Sequence, residues 1–273
     1  MTITALPFAK GHGAGNDFVV IPDLDNRWDL TPDAVRSVCD RRQGIGGDGI
    51  VRLVRHSGDY FMDYRNADGS LAETCGNGLR VAARYLVEAG LVPRGQFQVR
   101  TRGGEVAITV SPEDLEFRDI AVRMGAAVGE REPTTHVVTE GGHFTGTPMY
   151  VPNPHCVSVV GNLADVGTLR QEPDIDPVST FPDGANFEFI ERRGTTHLGM
   201  RTYERGVGET LACGSGACAA AQVWAHREML PPEWTVRVDV LGGTLHVDSD
   251  LDGILTLRGP AVFVARGEAL VDL

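Results

Sequence analysis

Glu73-Thr74-Cys75-Gly76-Asn77-Gly78 runs directly into Leu79-Arg80-Val81-Ala82-Ala83-Arg84-Tyr85, and Leu211-Ala212-Cys213-Gly214-Ser215-Gly216 runs into Ala217-Cys218-Ala219-Ala220-Ala221-Gln222-Val223-Trp224. Each stretch reads as a cysteine, a Gly-polar-Gly turn and a helix. A cysteine at a helix N-terminus faces unpaired backbone N–H groups and the positive end of the helix dipole. That setting is expected to favour thiolate over thiol. Two such sites in one chain suggest a matched pair of acid–base groups.

The two stretches belong to a longer repeat. Cys213 minus Cys75 is 138 positions, and Glu204 minus Asn66 is also 138. Asn153 minus Asn16 is 137, with a short apolar run after each; Gly243 minus Gly104 is 139, each in a strand-GlyGly-strand pattern. Ala121-Val122-Arg123-Met124-Gly125 recurs as Ala261-Val262-Phe263-Val264-Ala265. Landmarks at nearly one offset indicate a duplicated domain with a period far too long for a solenoid. If Ala121–Met124 opens the second lobe, the matching Ala261–Val264 crosses back into the first. The expected lobes are therefore 1–119 plus 262–273, and 120–261.

Local patterns fill in the elements. Thr31-Pro32-Asp33 is a helix start, with Thr31 as N-cap and Pro32 at the first helical position. Phe18–Ile21 reads as a strand, Ile50–Val54 with Tyr60–Arg65 as a strand pair, and Gln96–Arg100 with Glu105–Val110 as a hairpin. Lys10–Asp17 reads as a glycine-rich turn and 173–184 as a Pro- and Asp-rich loop. The expected class is α+β: two pseudo-symmetric lobes of mostly antiparallel strands, each around a central helix. The ligand is expected in the cleft between lobes.

Bulk properties narrow the partners. A chain of 273 residues with 42% hydrophobic and 23% charged residues is an ordinary globular composition. A net charge of −12 without a basic run argues against nucleic acid. No apolar stretch suits a membrane span and no secretory pattern opens the chain. The five cysteines are thus expected as reduced thiols in a cytoplasm. No CxxC pair suggests zinc, so no metal is expected. Pyridoxal phosphate needs a Schiff-base lysine, and Lys10 is the single lysine. The glycine runs at 11–15 and 44–49 lack the strand-loop-helix context of a dinucleotide loop.

Two opposed acid–base groups around one carbon are what inversion of configuration requires. One sulfur acts as thiolate, the other as thiol, and the roles swap with substrate handedness. Backbone N–H groups at two helix starts would hold a carboxylate and the charge that develops when its α-carbon loses a proton. Cys39, Cys156 and Cys218 read as buried structural thiols. Of the histidines, His155 alone lies in a motif.

Three segments resemble the signatures of the diaminopimelate epimerase family: 13–18 (Gly-Ala-Gly-Asn-Asp-Phe), 65–80 around Cys75, and 203–217 around Cys213. Asn153-Pro154-His155 and Gly184-Ala185-Asn186-Phe187-Glu188 are similar to further family segments. The resemblance implies cofactor-independent epimerisation of LL- to meso-diaminopimelate, on the lysine and peptidoglycan route, by a protein that is commonly a homodimer. By position it implies Cys75 and Cys213 as the acid–base pair and Gly76, Asn77, Gly214 and Ser215 as holders of the reacting carboxylate. Asn16, Asn66, Asn153, Asn186 and Arg205 would read the substrate. His155 and Glu204 would help set thiol protonation, with Glu204 also in contact with substrate. One departure is Gly49, where many family members carry Gln. The rival readings are a proline or hydroxyproline racemase on the same scaffold and a non-catalytic amino-acid-binding module. Asn66, Asn186 and Arg205, suited to a second amino-acid head, argue against the first.

Overall fold

The computed structural model describes residues 3–56 and 58–273. The chain divides into two compact units, 1–122 with 259–273, and 123–258. The crossings lie within strands Ile120–Ala126 and Ile254–Gly259.

In the first unit, strand Ile3–Gly13 pairs with Asn16–Pro22, followed in sheet order by Gly49–His56, Asp59–Asn66, Gly95–Thr101, Gly104–Val110 and Ile120–Ala126. The senses along this series are antiparallel, parallel, antiparallel, parallel, antiparallel, antiparallel. Each parallel pairing is bridged by a crossover that holds a helix, because parallel neighbours cannot be joined by a tight turn. Helix α1 (Pro32–Cys39) occupies the first crossover and α2 (Gly76–Glu88) the second. Strand Val262–Asp272 returns to pair with Ile3–Gly13.

The second unit repeats the series. Gly142–Val151, Asn153–Val160, Asn186–Gly194, His197–Glu204, Trp234–Val240, Gly243–Ser249 and Ile254–Gly259 pair in the same order of senses. Helix α3 (Gly214–Arg227) fills the crossover equivalent to that of α2. The register repeats as well: Phe18 pairs with Gly49, and 137 positions on His155 pairs with Asn186. The expected α+β fold with a central helix in each of two duplicated lobes is the fold found.

Period-two alternation divides each sheet between two faces. In the first unit, Val19, Ile21 and Ile50 join Val35, Val38 and Cys39 of α1 in one core. Val51 faces the other way, against the first turn of α2. In the second unit, Cys156, Phe187 and Phe189 join Val166, Leu169 and Phe181 on one face. His155 and Glu188, one position out of phase, turn toward α3. That helix is buried almost all round, including the run Ala217–Ala221, as expected of a helix apolar on every side.

Three local expectations change. The Gly-polar-Gly triplets are not turns before the helices but their first turns, with Cys75 and Cys213 as extended N-cap residues. Most of Lys10–Asp17 is strand; only Ala14 (φ 53°) and Gly15 (φ 86°) make the turn. Left-handed φ at both central residues matches the twist of a two-residue hairpin. Within 173–184, Asp174–Asp176 pairs with Thr135–Thr139, and Val178–Thr180 is a short 3-10 turn.

Candidate active site

The tight turn at Ala14-Gly15 places Asn16 at the start of its strand. Asn16 Oδ1 lies 3.9 Å from Cys75 Sγ and accepts from Asn77 Nδ2 at 3.1 Å, while Asn16 Nδ2 donates to Asp48 at 2.7 Å. Asp48 is held in turn by Arg41 at 2.7 Å. Burial by itself would raise the neighbouring Asp17 carboxyl, but Arg41 and Lys10 outweigh it and hold the group well below the usual carboxylate range. Cys75 Sγ accepts from the Gly78 N–H at 3.4 Å, the bond of an N-cap side chain.

The family resemblance implies Asn77 as a holder of the substrate carboxylate. Within the protein its Nδ2 donates to Asn16, and its Oδ1 accepts from the fully buried Arg80 at 2.6 Å. What α2 can offer a ligand here is backbone N–H at its first turn, where no intrahelical acceptor exists. Asn66 donates to Ser70 at 3.0 Å, within its own loop. Gly49 is buried, and a Cβ there would sit 2.4 Å from the Arg65 carbonyl oxygen and 2.8 Å from the Tyr64 ring. A glutamine at this position therefore requires the Asp59–Asn66 strand and Tyr64 to shift.

Cys213 is 5% exposed, and its Sγ accepts from the Gly216 N–H at 3.3 Å and lies 3.6 Å from Ser215 Oγ. Here the expected thiolate preference is overturned. Burial pushes the Cys213 thiol well above its ordinary value, and the negative charges of Glu204 and Glu188 add to that. Hydrogen bonds from Ser215 and Gly216 pull the other way without compensating. A helix N-terminus supplies only about half a charge, too little to offset desolvation plus two carboxylates.

His155 is fully buried beside this thiol. Its Nδ1 is hydrogen-bonded to Glu188 Oε1 at 2.9 Å and its Nε2 to Asn153 Oδ1 at 3.1 Å. Glu204 accepts from Thr210 at 2.6 Å. Asn186 Oδ1 accepts from the Arg205 N–H at 2.9 Å, and the Arg205 guanidinium donates to the Asp183 carbonyl at 2.7 Å. The structure thus gathers Asn16 and Asn77 around Cys75, Asn153, His155 and Glu204 around Cys213, and ties Asn186 to Arg205.

Glu188 closes a segment similar to the family, yet the sequence alone assigned it no role. It is fully buried, and one of its carboxylate oxygens, a His155 ring nitrogen and Cys213 Sγ all lie within 4.8 Å of one another. The available signals were that segment and an acid set among apolar residues in Phe187-Glu188-Phe189-Ile190. Cys, His and Glu together also have the composition of a metal site, but both ring nitrogens of His155 are committed to Glu188 and Asn153. Cys39, Cys156 and Cys218 are buried, and burial pushes the Cys39 thiol up to about 11 and the Cys156 thiol up to about 12.

Gly216 shows how tightly this cluster is packed, since a Cβ there would lie 2.3 Å from Glu188 Oε1. Gly216→Ala is expected to displace either the carboxylate or the start of α3. The expected cost is about 1–3 kcal/mol of stability and about 100-fold in turnover. Turnover within twofold of wild type would show that the first turn of α3 can yield without consequence.

A family model described as diaminopimelate epimerase matches residues 8–129 and 148–264. A diaminopimelate epimerase from Streptomyces coelicolor is 44% identical over 97% of this chain and 96% of that protein. One from Corynebacterium glutamicum is 41% identical over 97% and 99%. Among solved structures, a PhzF-family phenazine biosynthesis protein from Bacillus anthracis aligns with a TM-score of 0.72 at 17% identity, over 97% of this chain and 99% of that one. A hydroxyproline epimerase from Agrobacterium vitis aligns at 0.70 and 14% identity, over 98% and 93%. These two share the fold. Given matched segments over most of its length and relatives above 40% identity across nearly all of it, the chain belongs to the diaminopimelate epimerase family and is an isomerase of the epimerase type.

Proposed function

We propose that this protein interconverts LL- and meso-diaminopimelate through Cys75 and Cys213, without an organic cofactor or metal. The observation that carries the reading is the equivalence of the two thiols. Each is the N-cap of the helix in the same crossover of a repeated fold, 138 positions apart. One thiolate takes the α-proton: the C–H bond breaks, an S–H bond forms, and the electron pair stays on carbon. The opposite thiol then gives its proton to the other face of that carbon. Charge that spreads into the carboxylate is met by N–H groups of the helix starts at Gly76-Asn77 and Gly214-Ser215.

In this reading Asn16, Asn66, Asn153, Asn186, Glu204 and Arg205 hold the substrate, and His155 and Glu204 influence the thiols. The reading extends to a homodimer in the cytoplasm that serves lysine and peptidoglycan precursor synthesis. Among the described residues no helix is long and apolar enough to cross a membrane.

The test is incubation of reduced protein with LL-diaminopimelate in deuterium oxide. Deuterium at one α-carbon of newly formed meso product is expected. Absence of exchange would sink the proposal. Exchange into proline or hydroxyproline alone would transfer the reading to the racemases that share the fold.

A further inference from the structure

The two repeats offer an internal comparison, because equivalent positions can be read off the register. Phe18 and His155 are equivalent, 137 apart, and so are Val51 and Glu188. Gly78 and Gly216, 138 apart, each occupy the third position of their helix. Beneath Gly78 lies Val51 Cγ2, 3.4 Å from where a Cβ would be. Beneath Gly216 lies the Glu188 carboxylate. The same scaffold thus sets an apolar residue against one thiol-bearing helix start and an acid against the other.

Glu188 is costly to place there. A buried carboxylate needs partners, yet Oε1 alone is hydrogen-bonded, to His155, and Oε2 has no hydrogen-bond partner among the described residues. Glu188 faces α3, which has given up a side chain at Gly216 to admit it. Among the described residues, the charged and polar groups that act on Cys213 come from four elements. They are Glu204 on His197–Glu204, Glu188 on Asn186–Gly194, His155 on Asn153–Val160, and the Ser215 hydroxyl with the Gly216 N–H on α3. The Cys156 thiol, on the far face of its strand, also feels the Glu188 charge.

We propose that Glu188 is a positioning residue that holds the proton on Cys213, so that Cys213 is the proton donor of the resting protein. The carboxylate is held by His155 and one of its oxygens lies within 4.8 Å of the sulfur, with both residues buried. A second negative charge on Cys213 is opposed until another group withdraws charge from the cluster. At the equivalent position beneath Gly78, Val51 carries no charge. The inference rests on the reading of Cys213 as an acid–base thiol, but its test does not require turnover.

The experiment is the pH dependence of alkylation by iodoacetamide in the full-length reduced protein, scored by mass spectrometry on the peptide that carries Cys213. The wild-type midpoint is expected above the ordinary thiol value of about 8.5. Glu188→Gln keeps the shape and removes the charge, and its midpoint is expected to fall by about one pH unit or more. Glu188→Asp keeps the charge and is expected to stay near wild type. An unchanged midpoint in Glu188→Gln, or an equal fall in both variants, which would make the effect one of packing, overturns the proposal. Should Glu188→Gln fail to fold, a wild-type midpoint at or below 8.5, as for an ordinary thiol, does the same. A shift in midpoint without deuterium exchange into diaminopimelate would leave this inference standing and remove the epimerase reading. Exchange without a shift would do the reverse.

Discussion

Replacing either Cys75 or Cys213 by alanine is expected to lower turnover of LL-diaminopimelate by about 1,000-fold or more, toward the effect of losing a general acid–base group. In the proposed two-thiol mechanism the two losses should be similar, because each turnover would need one sulfur to take a proton and the other to give one. Removing either breaks the same cycle. Neither change should unfold the protein. Each sulfur accepts one N–H bond at its helix start, at 3.4 and 3.3 Å, and alanine in place of a capping side chain costs about 1 kcal/mol. Steady-state formation of meso product, with circular dichroism to confirm folding, checks the result. Near-normal turnover in either variant would end the two-thiol mechanism. Serine should not rescue either position, because an alcohol is far too weak an acid to exchange roles with a thiol.

The second large effect is on stability. Arg80→Met is expected to cost about 3 kcal/mol, measured by urea unfolding. Arg80 is fully buried and donates to Asn77 Oδ1 at 2.6 Å, to the Gly76 carbonyl at 3.3 Å and to the Pro260 carbonyl at 3.3 Å. It therefore ties the first turn of α2 to the returning C-terminal segment. Methionine fills much of the volume but removes the guanidinium donors from Asn77 Oδ1 and the two carbonyls, and a buried acceptor that loses its donor costs about 1–3 kcal/mol. Loss of the Asn77 anchor should also loosen Asn16, which Asn77 holds at 3.1 Å, and turnover should fall with stability. Arg80→Lys should recover only part of the loss, since a single ammonium cannot reproduce the planar fork. Stability within about 0.5 kcal/mol of wild type, the range of a neutral surface change, would show that Arg80 is not the tie it looks to be.

The ordinary elements were legible because their causes are local. Thr31 and Pro32 start α1 as the capping pattern requires, and Thr31 Oγ1 accepts from the Ala34 N–H at 3.2 Å. The hairpin around Gly103-Gly104 forms because Gly104 takes φ 116°, which few other residues tolerate. The glycine triplets misled for a related reason. Glycine usually breaks helices, yet here it begins them. Close neighbours, such as the Glu188 carboxylate against Gly216, outweigh the modest propensity penalty of about 1 kcal/mol.

The site divides along the same line. Residue identity and spacing alone determined that two cysteines stand at matched helix starts in a duplicated chain, because capping and repeats are written in sequence order. Only the tertiary structure decided their surroundings. Parallel pairing of Asn153–Val160 with Asn186–Gly194 brings His155 against Glu188 across 33 positions. Packing of α3 on that face turns a lone acid in an apolar strand into the neighbour of Cys213. The direction of the Cys213 thiol followed from that burial, not from its motif. A helix start draws a thiol toward its thiolate, but desolvation and two nearby carboxylates drive it the other way. Both of those forces arise only when distant segments of the chain are packed together.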